Sequence, residues 1–122
     1  MIFFYPKDDT PGCTVEACAF RDAHAEFVAA GAEVIGISAD PVTSHLRFQE
    51  KHSLPFALAS DVSNEIARAY GVAKGPFGLP GRATFVIDQR GIVRDVFSSR
   101  LRVKRHVSRA LDVVRALTRE RD

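Results

Sequence analysis

The chain holds two cysteines, Cys13 and Cys18, five residues apart in the run Tyr5-Pro6-Lys7-Asp8-Asp9-Thr10-Pro11-Gly12-Cys13-Thr14-Val15-Glu16-Ala17-Cys18. Pro11 suits the first turn of a helix, where a missing N–H costs nothing, and Thr10 before it is a favoured N-cap. Cys13 then falls within that first turn. Backbone N–H groups without intrahelical partners point out of the turn and carry the positive end of the helix dipole, which favours thiolate over thiol. Gly12 permits close approach to the backbone. An unperturbed cysteine is only about 3% thiolate at neutral pH, and reaching about 90% takes roughly 3.4 kcal/mol. A helix start supplies about 2 kcal/mol at best. A cation within about 4 Å, worth roughly 4 kcal/mol at an effective dielectric near 20, would close the gap, so an Arg or Lys from elsewhere is expected beside Cys13.

A capped helix with two buried, inert cysteines is the competing reading of the thiols alone, because free Cys packs as a small hydrophobe. The wider signature is more specific. Pro6-x-x-x-Thr10-x-x-Cys13 after an apolar run, with Cys18 following, closely resembles the peroxiredoxin active site, and YPKDDTPGCTVEAC resembles the bacterioferritin comigratory protein or peroxiredoxin Q group. The resemblance implies that Cys13 is the peroxidatic nucleophile and Cys18 the resolving cysteine. It also implies that the Thr10 hydroxyl hydrogen-bonds thiolate and peroxide, and that Pro6 shields the sulfur from water.

At 122 residues, 46% apolar and 26% charged, the chain reads as one ordinary globular domain. It has no run of about 18 apolar residues and no basic secretory leader, so a cytoplasmic location without membrane association is expected. Two cysteines are too few for a disulfide scaffold. The net charge of +2 hides an asymmetry: residues 1 to 88 carry seven Lys/Arg against eleven Asp/Glu, the remainder ten against four. No aromatics interleave Arg100, Arg102, Lys104, Arg105, Arg109, Arg115, Arg119 and Arg121, so a solvated helix face is expected there rather than a nucleic-acid site.

The elements that must position the thiols follow from hydrophobic period. Ile2-Phe3-Phe4-Tyr5 reads as an interior strand covered on both faces. A helix from Pro11 buries Val15, Cys18, Ala19, Phe20, Ala23 and Phe27, exposes Glu16, Arg21, Asp22 and Glu26, and stops at Gly31. Residues 33–38 form a second strand, parallel to the first if the helix is a right-handed crossover. Residues 42–52 form a short helix burying Leu46 and Phe48. Residues 54–59 form a weaker strand that Pro55 places near an edge. A helix capped by Asp61 or Ser63 turns Ile66, Ala67 and Tyr70 inward before Gly71, and a glycine and proline rich loop runs from Lys74 to Gly81. Residues 84–88 and 92–97 flank a hairpin turn. Val103, Val107, Ala110, Leu111, Val114 and Leu117 line one face of a last helix.

This order gives an α/β sandwich, helices flanking a mixed central sheet, and is similar to the thioredoxin-like fold of peroxiredoxins. The resemblance extends through Lys74-Gly-Pro-Phe-Gly-Leu-Pro-Gly-Arg-Ala-Thr-Phe-Val-Ile-Asp88, where it implies that Arg82 is the catalytic arginine, the cation sought above. It also implies a hairpin and loop ahead of the first strand. Residues 1–122 are expected to be a single thioredoxin-like domain lacking that hairpin, monomeric or weakly dimeric.

His24, His45, His52 and His106 show no metal spacing with the cysteines, and Cys-x4-Cys alone cannot fill four zinc positions. Asp8 and Asp9 are expected to be solvated. With no phosphate-binding glycine motif or haem-attachment pattern, the resemblance implies a cofactor-free thiol peroxidase that reduces hydrogen peroxide and organic hydroperoxides and is recycled by thioredoxin or a similar dithiol. A thiol-disulfide oxidoreductase and a noncatalytic thioredoxin-like binding module are the alternatives.

Overall fold

The computed structural model describes residues 1–72, 81–100 and 102–121. Its elements run β1 (Ile2–Phe4), α1 (Pro11–Ala29), β2 (Ile35–Ser38), α2 (Val42–Lys51), β3 (Ala57–Ser60), α3 (Glu65–Ala69), β4 (Ala83–Ile87), β5 (Val93–Ser98) and α4 (Val103–Arg121). The loop expected at residues 74–80 lies outside the described residues. The five strands form one sheet in the order β3-β2-β1-β4-β5. β1 pairs parallel to β2 and antiparallel to β4, β2 pairs parallel to β3, and β4 and β5 form the antiparallel hairpin. The expected mixed sheet, parallel first crossover and edge position of β3 are all present, with strand ends within three residues of those expected.

β1 lies at the centre because every side chain in it is apolar and both its faces are covered. Phe3 points into a core with Phe20 and Phe27 of α1, Phe56, Val86, and Val107, Leu111 and Val114 of α4. Its ring stacks on Phe20 at 4.4 Å. Ile2 and Phe4 point the other way, toward Ile37, Ala67, Ala83 and Phe85. α1 therefore lies across the sheet beside α4, with its first turn at the end of β1. At its other end Gly31 N–H donates to Val28 and Ala32 N–H to Phe27, a Schellman closure that satisfies the last carbonyls.

Three placements differ from the sequence reading. The buried stripe of α1 is Cys13, Glu16, Ala17, Phe20 and Phe27, positions i, i+3, i+4, i+7 and i+14 counted from Cys13, so Val15 is exposed and Glu16 is buried. A carboxylate joins an apolar stripe only when a partner waits there, which periodicity does not reveal. On α2 the inner face is His45 and Phe48, and Leu46 is exposed. Again a histidine with partners takes a place that hydropathy assigns to leucine. In α3 Ala67 is buried but Ile66 and Tyr70, expected to face inward, are exposed, and the Asp61 carboxylate accepts the Ile66 and Ala67 N–H groups, capping the helix as expected.

Gly36 in β2 sits where a Cβ would meet Leu58 Cδ2 and Phe3 Cζ, each at 2.8 Å. Gly36→Val is expected to destabilise the fold by about 1–3 kcal/mol, the usual range for overpacking, and a urea midpoint equal to wild type would contradict the packing described for β1 and β2.

Candidate active site

Cys13 is 1% exposed, within the first turn of α1. Thr10 occupies the N-cap position with extended backbone, but its hydroxyl makes no capping hydrogen bond. It donates instead to the Lys7 carbonyl at 2.8 Å. The capping role expected of that side chain is thus corrected: the tight loop from β1 offers the hydroxyl a nearer acceptor. Pro6 opens the loop and is partly exposed. Cys18 lies on the same unbroken helix, partly exposed, and both thiols are free.

The cation required beside Cys13 is Arg82, which precedes β4. Because β4 pairs antiparallel to β1, its first residues lie next to the end of β1 and the start of α1. Arg82 Nη2 donates to Cys13 Sγ at 3.6 Å, and Nη1 donates to Glu16 Oε1 at 2.7 Å. Gly12 makes this approach possible, since a Cβ there would lie 3.0 Å from Arg82 Nη2. Burial works against the guanidinium charge, but Glu16 and Cys13 outweigh it and the Arg82 pKa is raised.

Glu16 and His106 are the members of this site that sequence reasoning missed. Glu16 is fully buried, and burial raises its carboxyl from 4.5 to about 7 even though the charge and hydrogen bond of Arg82 pull it down. For an acid raised by folding, the ionised form is the one folding disfavours, so the stability associated with this group declines as pH rises from 4.5 to about 7. His106, from α4, is also fully buried. Its Nε2 lies 2.8 Å from the Ser99 carbonyl and its Nδ1 2.7 Å from Thr84 Oγ1. Burial lowers its pKa, Arg82 adds to that, and the Ser99 bond only partly offsets them. The neutral ring therefore donates from Nε2 and accepts the Thr84 hydroxyl at Nδ1. That same Nδ1 lies 3.7 Å from Glu16 Oε2, so α4 and β4 together close the site from below. The spacing Cys13 to Glu16, i to i+3 on one helix face, was the available signal for Glu16. His106 had none.

Asp8, expected to be solvated, is instead buried and hydrogen-bonded, while Asp9 is exposed. On the solvent side of the first turn, Pro11, Gly12 and Val15 with Arg102, Val103, Lys104 and Arg105 of the α4 start line a shallow groove of about 510 Å³. Arg109 pairs with Asp95 through two hydrogen bonds and Arg115 lies 3.4 Å from Glu26, so part of the basic face is spent on intramolecular ion pairs.

Arg82→Met is expected to slow alkylation of Cys13 by iodoacetamide at pH 7 about tenfold, the equivalent of ~1.4 kcal/mol of lost thiolate stabilisation. Glu16→Gln keeps an oxygen acceptor for Arg82 and should slow it less. Wild-type alkylation rates in Arg82→Met would give the cation's role to another residue.

Comparison with known proteins places this site in a family. Residues 1–96 match the model of the AhpC/TSA family. Peroxiredoxin Q, chloroplastic, of Oryza sativa subsp. japonica is 45% identical over 118 residues, covering 96% of this chain and 54% of that protein. Its counterpart in Suaeda salsa is 46% identical, with 96% and 55% covered. The chain thus spans about half the length of these curated relatives. Among solved structures, peroxidoxin BcpB of Mycobacterium tuberculosis superposes with a TM-score of 0.88 at 43% identity, covering 95% of this chain and 77% of that one. Peroxiredoxin Q of Xanthomonas campestris does so with a TM-score of 0.87 at 35% identity, covering 96% and 77%. With its thioredoxin-like fold and the Pro6–Cys13 signature, the chain belongs to the AhpC/TSA family and groups there with the peroxiredoxins Q and bacterioferritin comigratory proteins.

Proposed function

We propose that this chain is a thiol-dependent peroxidase in which Cys13 is the nucleophile and Cys18 resolves it. The observation that carries the reading is the Arg82 guanidinium 3.6 Å from Cys13 Sγ at a helix start, the cation that a reactive thiolate requires. Cys13 thiolate attacks the nearer peroxide oxygen. The S–O bond forms as the O–O bond breaks, sulfur is oxidised to a sulfenic acid, and the leaving hydroxide or alkoxide takes a proton to become water or an alcohol. Arg82 and the N–H groups of the first turn face the charge that develops on the oxygens. Thr10, whose hydroxyl hydrogen donates to Lys7, keeps its oxygen lone pairs as acceptors for a peroxide proton, and Pro6 limits water at the sulfur.

Cys18 sulfur then displaces water from the sulfenic acid to give the Cys13–Cys18 disulfide, and thioredoxin or a similar dithiol returns two electrons and two protons. Hydrogen peroxide and organic hydroperoxides are the proposed substrates. A cysteine only 1% exposed favours a small oxidant over a protein disulfide, which weighs against the thiol-disulfide oxidoreductase reading. A cytoplasmic location, and a monomer or weak homodimer, complete the proposal.

The deciding experiment is mass spectrometry after one equivalent of peroxide. Cys13→Ser should remain unoxidised and consume no peroxide, whereas Cys18→Ser should accumulate a trappable sulfenic acid at close to the wild-type rate. Equal loss of the first oxidation in both variants would overturn the assignment, and a wild type that stays dithiol would identify a binding module.

A second outcome follows from the unbroken helix that carries both thiols. Five residues advance about 7.5 Å and turn about 140°, separating the two α-carbons by about 8–9 Å. Disulfides rarely exceed about 7 Å, so the first turns of α1 must unwind before the bond closes. Amides between Thr10 and Phe20 should exchange at least tenfold faster in the oxidised protein. Unchanged protection with the disulfide formed would show that closure follows another route.

A further inference from the structure

The loop between β1 and α1 carries Pro6 and Thr10, and midway between them Asp8 is pulled into the protein. The Asp8 carboxylate accepts three hydrogen bonds: from Tyr5 Oη at 2.6 Å, from Ser44 Oγ at 2.8 Å and from His45 Nδ1 at 2.8 Å. Its backbone N–H donates to Asp40 Oδ2 at 2.9 Å, the oxygen that also accepts Ser38 Oγ at 2.6 Å. On the far side of the ring, His45 Nε2 lies 3.1 Å from the Ala59 carbonyl. A histidine whose two nitrogens both face acceptors is fully satisfied only when it donates from both, so this geometry favours an imidazolium paired with Asp8. Each side chain of the pair is 3% exposed.

We propose that Asp8 and His45 are positioning residues of the candidate peroxidatic site, a buried clamp that holds the Pro6–Thr10 loop on the sheet and confines unwinding to the turns of α1 beyond it. The clamp rests on the peroxidase reading only for what the loop positions. Its geometry stands without that reading. Among the described residues, the loop's other polar ties are weaker or internal. Asp9 meets Lys51 at 3.2 Å and His52 at 3.6 Å with its carboxylate half exposed, where ion pairs contribute little. The Thr10 hydroxyl bonds to Lys7 within the loop itself, and its carbonyl accepts the Thr14 N–H of α1. The clamp, by contrast, joins the loop to β1 through Tyr5, to the end of β2 through Asp40, to α2 through Ser44 and His45, and through His45 to β3. Asp8, Asp40 and His45 also bring ligand-type atoms within 4.8 Å of one another. Both nitrogens of His45 and both oxygens of Asp8 are already engaged, so the protein's own hydrogen bonds account for the cluster without an ion.

The groups facing His45 are Asp8, Asp40, Ser44, Tyr5 and the Ala59 carbonyl. Burial and the neighbouring Asp8 raise the Tyr5 pKa, so it stays a donor. Burial alone would lower His45, but the Asp8 bond and charge outweigh it and its pKa is raised. Burial alone would raise Asp8, and the His45, Tyr5 and Ser44 donors bring it down. The His45 contribution is therefore complete below its unfolded pKa of about 6.5 and is lost as pH rises through the higher folded value. The Asp8 contribution is lost only as pH falls through its depressed folded value. The clamp holds between these limits and loosens on the alkaline side.

The test reads the Asp8 amide, the one that donates to Asp40, by hydrogen exchange corrected for the intrinsic pH dependence, in reduced protein without peroxide. Wild type should lose protection as pH rises from 6 to 9. His45→Gln, which cannot carry the charge, should lose at least tenfold protection at pH 6.5 and show no further loss up to pH 9, with the core amides of β1 and β4 unchanged. Its first oxidation step should be about tenfold slower while disulfide closure from the sulfenic acid is not slowed. Protection that keeps the wild-type pH dependence in His45→Gln, or a loss spread equally through β1 and β4, would overturn the clamp. Should that variant not fold, Ser44→Ala, which removes one donor and leaves the charge pair, decides together with the wild-type titration: a flat profile between pH 6 and 9 ends the proposal. A wild type that does not react with peroxide defeats the peroxidase reading, and the exchange measurement still decides whether the clamp holds the loop.

Discussion

A guanidinium taken out of water beside a thiol is the constraint around which this structure is arranged. Removing such an ion from water costs several kcal/mol even after relaxation, and only close, well-directed partners offset it. Arg82 finds them on α1: Glu16 at 2.7 Å and Cys13 at 3.6 Å. Those two residues must then lie on one face of the helix, three apart, and that face must turn inward at its first turn. A Cβ at position 12 would press on the guanidinium at 3.0 Å, so glycine there lets it sit this close without displacement. β4 must run antiparallel to β1 so that its leading residue arrives at the helix start. The charge network, more than the apolar core, explains the phase of the upper half of α1.

The two halves of α1 carry different duties. Below Cys18, Phe20 and Phe27 are fully buried against β1 and α4, and the Schellman closure ties off the last turn. Above Cys18, the buried positions are Cys13, Glu16 and Ala17, which hold the helix by one ion pair and little apolar area. In the proposed peroxidase cycle, oxidation of Cys13 alters the sulfur that accepts from Arg82 at 3.6 Å, so the upper turns lose a polar contact while the lower turns keep theirs. A helix that is firmly held at one end and conditionally held at the other can present a reactive thiol and then release it. On the loop side, the Asp8–His45 pair supplies a second buried anchor that does not depend on the state of the sulfur.

Much of this was legible from local pattern. Continuous apolar residues marked β1 as central, the Thr10-Pro11 pair marked the helix start, and Gln89-Arg90-Gly91 between two β-branched runs marked the hairpin, because each feature is decided by a few neighbouring residues. The need for a cation at Cys13 also followed from the sequence, since a helix dipole alone supplies too little energy. Where residues were misplaced, a polar group with partners often held the inner place: Glu16 and His45 lie inside while Val15 and Leu46 are exposed, and Asp8, expected to be solvated, is buried.

What the sequence by itself determined is the set of short-range events: which segments become strands and helices, where α1 begins, and that Cys13 lies in its first turn. What only the tertiary structure decided is which charges are buried together. The Arg82–Cys13 contact was expected from the family resemblance, but Glu16 beside Arg82, 66 residues away in the chain, and His45 beside Asp8, 37 residues away, were not. The reason is physical. A buried charge is tolerable only beside a partner, and the partner's position is set by strand order and helix packing, which no local window of residues contains.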